Sequence, residues 1–203
     1  MNIYVITKAH GRILCSNKNG RYFYTIRQNR FVGNKITTDS NCWRIIRMLK
    51  IPTPCFVEGG WIPDYNAGFG EDQSPEFHIE GIAPKAETMV ITLDDLGHPL
   101  EPGYNHWVAW NIKPADCIPG GIPKGSVIET PIHIEQGIAY GKHCYRGPKP
   151  PFNWNHEYLF TLYTLDCTLE ADEKSRKEDI LKLAEDHILQ KSELRGKYQR
   201  KHR

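Results

Sequence analysis

Four short stretches carry side chains whose types and order suit chemistry. Asp94-Asp95 closes an apolar run just before Gly97, and His106-Trp107 follows the turn residues Pro102-Gly103. Tyr145-Arg146-Gly147-Pro148-Lys149-Pro150-Pro151 is a stiff loop, and His156-Glu157-Tyr158 opens a later apolar run. A carboxylate at a strand exit faces a rim while its backbone stays fixed. Prolines at this density hold a loop at low entropic cost. Gly147 lets a ligand approach the backbone and leaves an N–H to donate. Two imidazoles, a carboxylate and such a loop compose a small anion pocket, with His⁺ and N–H as donors. On spacing alone, the same residues read equally well as tight turns and strand-capping histidines.

Other chemistries have less support. A metal set can be drawn from Asp95, His98, His106 and His156, but no H-E-x-x-H or comparable spacing accompanies it, so no metal ligands are expected. There is no G-x-S-x-G elbow, dinucleotide fingerprint or P-loop, and Gly120-Gly121 runs into Ile122-Pro123 rather than a phosphate-binding helix start. No cofactor is expected. Cys144 beside His143 offers only the bare elements of a thiol nucleophile. The six cysteines (15, 42, 55, 117, 144, 167) form no C-x-x-C pair, and no signal-peptide pattern opens the chain. Buried free thiols in a reducing cytoplasm are the expectation.

The elements that must position these groups are mostly strands. Met89–Leu93, Trp107–Ile112 and Tyr158–Leu165 read as buried strands separated by turn residues, which favours an antiparallel sheet or sandwich over βαβ units. Ser175 and Glu178 have capping-box spacing. Ile180, Leu183, Ala184, His187 and Ile188 then fall on one helical stripe, with Leu194 extending the packing and His187 reading as a core histidine or, less simply, a ligand. Ile51-Pro52-Thr53-Pro54 marks a boundary, because proline disfavours helix at the residue before it. Ahead of it, residues 1–50 read as a ββ-then-α module. It comprises a strand around Ile3–Thr7, an Asn19-Gly20 hairpin turn before Tyr22–Ile26, and a short helix from Asp39 or Ser40 to about Lys50.

The chain has 203 residues and a formal net charge of +2 that hides a partition. Residues 1–50 carry +9, residues 51–190 carry −12 and residues 191–203 carry +5. Either the basic ends dock on the acidic body, or they face a polyanion such as nucleic acid. A chain of this length buries a sizeable core without staples. Mean hydropathy of −0.54 and short apolar runs leave no transmembrane segment.

The ordered motifs from about Phe56 to Tyr198 resemble the phosphatidylethanolamine-binding protein family, on its bacterial and archaeal, Raf kinase inhibitor-like branch. They are Phe56…Glu58-Gly59-Gly60…Ile62-Pro63, Gly70-Glu71-Asp72-Gln73-Ser74-Pro75, Asp95…Pro99…Gly103-Tyr104-Asn105-His106-Trp107, the Tyr145–Pro151 loop, His156–Phe160, and the helix with its exit at His187-Ile188-Leu189 and Leu194–Tyr198. The resemblance implies a mainly β, antiparallel sandwich-like domain over residues 51–203, with a C-terminal helix beside a small anion pocket. It implies a pocket formed by Asp95, His106, Gly147, Pro148 and His156, with Tyr145 or Tyr198 near its rim. A carboxylate close to a histidine favours imidazolium, so Asp95 is expected to orient an imidazole and hold it charged. The sequence departs from the family's Asp-Pro-Asp-Ala-Pro at Asp95-Leu96-Gly97-His98-Pro99, where Gly97 replaces the second carboxylate. A cytoplasmic, non-enzymatic binder of a phosphate-like anion or phosphorylated head group is therefore expected, as monomer or homodimer, with a kinase or other protein as a possible partner. The alternatives are a hydrolase using an Asp–His pair and a nucleic-acid-associated protein acting through residues 1–50.

Overall fold

The computed structural model describes residues 48–200 throughout and, before them, the backbone of three strands at residues 4–9, 12–17 and 22–27. The chain forms two compact units, residues 1–44 and 45–203. In the first, β1 (Tyr4–Ala9), β2 (Arg12–Asn17) and β3 (Tyr22–Arg27) make an antiparallel meander. Three strands thus stand where two were expected. The Asn19-Gly20 turn and the start of the expected helix at Asp39 or Ser40 lie outside the described residues, as do the side chains of residues 1–47, which carry most of the charge on which nucleic-acid binding by residues 1–50 would rest. Met48 and Leu49 are not helical, and Lys50 pairs by backbone with Glu80.

The second unit is built on a seven-stranded sheet. Its strands are β4 (Gly60–Trp61), β6 (Thr88–Asp95), β7 (Tyr104–Ile112), β9 (Val127–Ile128), β10 (Ile134–Gln136), β11 (Asn155–Leu165) and β12 (Ile188–Gln199). Their order is β4-β12-β11-β6-β7-β10-β9, antiparallel except where β4 meets β12. A two-stranded ribbon of β5 (Phe77–His78) and β8 (Cys117–Ile118) faces it. Every residue of β6 is buried, as its run of apolar residues and threonine requires of a central strand covered on both faces. Met89, Ile91 and Leu93 point into the larger core with Trp107, Phe160, Phe77 and Ile118. Val90 points the other way, toward Val108, Trp110, Leu165, Ile180 and Ala184.

Those last two residues belong to the single α-helix among the described residues, α1 (Lys177–Ala184). It is shorter than its stripe suggests. Its N-cap is Arg176, whose N–H donates to the Asp179 carboxylate at 2.9 Å, rather than Ser175 with Glu178. A 3-10 turn at Glu185–His187 then hands the chain to β12. Ile188 and Leu194 therefore lie on a strand, and His187 is an exposed residue paired with Asp166 at 2.9 Å, not a core histidine. The helix also sits on the far face of the sheet from Asp95, and its Lys177 pairs with Asp94 at 2.8 Å. Thiol burial is also uneven, since Cys117 is exposed. No helix among the described residues is long and apolar enough to cross a membrane.

Candidate functional site

The site grows from a break in the β6–β7 ladder. Leu93 pairs with Trp107, but the next residue, Asp94, pairs with Asn105, so His106 is the extra residue of a β-bulge. Strict alternation would put His106 and Trp107 on opposite faces. The bulge instead brings His106 to the face of Asp95 and Tyr158, its ring 5.4 Å from the Tyr158 ring. Two local devices support the break. The Asn105 amide lies 3.0 Å from the Leu93 carbonyl and 2.9 Å from that of Trp107. The His106 carbonyl accepts the Arg146 N–H at 3.1 Å while its Nδ1 donates to the Arg146 carbonyl at 2.8 Å. The bulged residue is thereby clamped to the Tyr145–Pro151 loop.

Asp95 and Tyr158 are register partners on β6 and β11, and His156 stands two residues earlier on β11. The Asp95 carboxylate is fully engaged. Its Oδ1 accepts the Gly97 N–H at 2.9 Å, and its Oδ2 accepts His156 Nδ1–H at 2.8 Å. The same Oδ2 is 3.9 Å from His106 Nε2, too far for a hydrogen bond. Asp95 therefore orients His156, and the Arg146 carbonyl orients His106. Both imidazoles commit Nδ1–H to an acceptor, so each presents Nε2 to the site as a lone pair when neutral and as a donor when protonated. His106 Nε2, His156 Nε2 and the Tyr158 hydroxyl are all buried without a partner.

Burial lowers the His106 pKa, and the Arg146 carbonyl and Asp95 offset this only in part. At His106 desolvation of the cation thus outweighs the carboxylate, and the imidazole that Asp95 orients is that of His156. Burial, followed by Asp95, pushes the Tyr158 phenol up, so it remains a protonated donor. One consequence concerns stability. The unfolded chain takes up a proton near pH 6.5, before folded His106 does. Stability should therefore fall as pH drops below that value and stop falling once folded His106 is itself protonated. Urea melts from pH 7.5 to 4.5 should show a smaller decline in His106→Gln than in the parent; equal declines would remove His106 from this account.

Several loop residues serve as framework. The Gly147 N–H donates to Asp72 Oδ1 at 2.6 Å, so it is not the donor expected for an anion. Arg146 reaches the other Asp72 oxygen at 3.3 Å. A Cβ at Gly147 would lie 2.2 Å from the Asn66 carbonyl oxygen, which makes Gly147 a close-packing position. The buried Pro148 accepts the Gly68 N–H at 2.9 Å through its carbonyl. Tyr145 is buried, and its hydroxyl donates to the Asn66 carbonyl at 2.8 Å. Tyr198 is likewise buried, donates to Asp64 at 3.0 Å and is pushed up to about 12 by burial and that carboxylate. Neither tyrosine forms a free rim.

The half-exposed rings nearest the imidazoles are others. Tyr140 lies 4.7 Å from His106 and Tyr104, and Trp154 lies 6.3 Å from His156. Tyr140 stands in a loop with φ of 50° and carries no sequence signal. Asp72 and Tyr104 were visible only as members of motifs. His98 stacks on Tyr104 at 4.9 Å instead of joining the two imidazoles.

The open sheet thus carries a buried histidine pair and a carboxylate at one end of its central strands. The sequence model of the phosphatidylethanolamine-binding protein family matches residues 52–199. The chain belongs to this family, on its bacterial and archaeal branch, and family membership supports ligand binding. A UPF0098 protein of Pyrococcus abyssi is 41% identical over 156 residues, which cover 76% of this chain and 86% of that one. One from Methanothermobacter thermautotrophicus is 34% identical, covering 75% of this chain and 99% of its own. Among solved structures, a Chlamydia trachomatis protein described as a phosphatidylethanolamine-binding protein homologue superposes with a TM-score of 0.68 at 27% identity, covering 76% of this chain and 99% of that one. Escherichia coli YbcL shares the fold, with a TM-score of 0.69 at 18% identity over 75% of this chain and 99% of its own.

Proposed function

We propose that the chain binds a phosphate-like anion, free or as a phosphorylated head group, between His106, His156 and Tyr158. The observation that supports this reading is the convergence around Asp95 of three buried polar atoms without partners. Buried polar groups are nearly always paired, so three at one spot call for a ligand or ordered water. An anion with several acceptor oxygens suits one phenol and two imidazoles that become donors on protonation. Binding therefore draws a proton onto the site, and affinity weakens as pH rises through the histidine range. Sulfate, which keeps one charge state over that range, isolates the protein's contribution.

Amine selectivity is expected to be weak. Both Asp95 oxygens are occupied, and a Cβ at Gly97 would lie 2.9 Å from the His156 ring, so the family's second carboxylate has no place here unless His156 moves. A substituent on the anion would meet the rings of Tyr140 and Trp154. The test is an imidazole and amide NMR titration with phosphate and phosphoethanolamine. Saturable shifts at His106 and His156 are expected, with affinities for the two ligands within about tenfold. Silent imidazoles at about 10 mM phosphate, a Kd weaker than is useful for binding, would sink the proposal.

A second reading rests on the buried Asp95–His156 pair, which has the geometry of an oriented general base. Turnover of a phospho- or acyl-ester, lost in His156→Gln, would promote it.

A further inference from the structure

We propose that Glu76, His78 and Cys117 bind a divalent transition-metal ion, with Zn²⁺ the natural probe. The site lies on the β5–β8 ribbon and does not depend on the anion pocket. His78 stands directly opposite Cys117 in the antiparallel register. Side chains so paired project on one face with Cβ atoms about 5 Å apart. Glu76 lies two residues before His78, and the extended chain brings it to the same face. One imidazole nitrogen, one thiol sulfur and one carboxylate oxygen all fall within 4.8 Å of one another, and His78 Nε2 is 2.7 Å from Glu76 Oε1.

The backbone that carries these donors is tied down. The His78 N–H donates to the Pro52 carbonyl at 2.8 Å, the Ile79 N–H donates to that of Asp116 at 2.8 Å, and the Thr53 hydroxyl donates to that of Glu76 at 2.6 Å. Phe77 and Ile118 anchor the other face of the ribbon in the core, while His78 and Cys117 face solvent. An ion therefore has an open path and needs only side-chain rotation to close its shell. Thiolate, imidazole and carboxylate together suit Zn²⁺ with water at the fourth position, and the soft sulfur disfavours Mg²⁺ or Ca²⁺. The thiol binds an ion as thiolate, so binding releases its proton.

A second trio, Asp166, Cys167 and His187, also meets within 4.8 Å. It is set just beyond the end of the β11–β12 ladder, where the Asp166 N–H donates to the His187 carbonyl at 3.2 Å. The experiment separates the two. Co²⁺ added to the full chain should give a thiolate-to-cobalt charge-transfer band, displaced by Zn²⁺. Cys117→Ser should abolish the band and His78→Ala should weaken Zn²⁺ binding by about tenfold or more, while Cys167→Ser leaves both unchanged. Near-UV circular dichroism of each variant checks the fold. A band that survives Cys117→Ser, or no thiolate band with Co²⁺ in excess, overturns the proposal.

Discussion

Replacing both site imidazoles, His106→Gln with His156→Gln, is expected to eliminate measurable phosphate binding. Each imidazolium–phosphate hydrogen bond contributes about 1.5–3 kcal/mol, so one replacement costs roughly 10- to 150-fold in affinity and two together remove most of it. Glutamine keeps a polar group near the Arg146 carbonyl and the Asp95 carboxylate, which limits the penalty of orphaning them. Tyr198→Phe is the control. Its hydroxyl belongs to Asp64, so phosphate affinity should stay within about twofold of the parent, under half a kcal/mol. Isothermal titration calorimetry at pH 6 checks both. A double variant that binds like the parent would place the anion elsewhere.

Gly147→Ala is the second large effect. The added Cβ would meet backbone on two sides, 2.2 Å from the Asn66 oxygen and 2.9 Å from Ala67 Cα, and neither can swing aside as a side chain would. Relief requires the loop to withdraw from Asn66–Ala67. That movement breaks the Gly147–Asp72 hydrogen bond and loosens the clamp on His106. A loss of about 3 kcal/mol follows from overpacking, or roughly 6–12 °C in Tm at this chain length. Gly141→Ala is the comparison, since Gly141 has φ of +67° but nothing within 4 Å of a Cβ. Backbone strain alone there costs about 1 kcal/mol. If the two variants melted together, close packing at Gly147 would not be what constrains the loop.

The sheet was legible in the sequence where burial is two-sided. Met89–Leu93 and the run from Trp107 to Ile112 are each apolar but for one residue, and only a central strand needs that. The last strand was not legible. Its inward residues, Leu194, Gly196 and Tyr198, follow Lys191 and Glu193 and are spaced by Arg195 and Lys197, and the helical stripe just before it masks the change of period. Gly196 is small because a Cβ there would press on Ile62 and Phe56, a reason that no local pattern carries. For the site, the motifs located the two histidines, the carboxylate and the loop. They misplaced the donors, because the Gly147 N–H is claimed by a residue 75 positions away and the tyrosine hydroxyls by Asn66 and Asp64. Asp95 also turned out to serve His156 before His106, which depends on register across β6 and β11.

The bulge at His106 is in effect a phase slip. Positions on one side of it alternate in odd parity, those on the other in even parity, and the buried His106 ring sits at the seam. Transplanting Asp95, His106 and His156 onto a regular sheet would strand one imidazole on the wrong surface, however faithful the side chains. What must be copied is the extra residue itself, with the Asn105 amide that seals the carbonyls it opens.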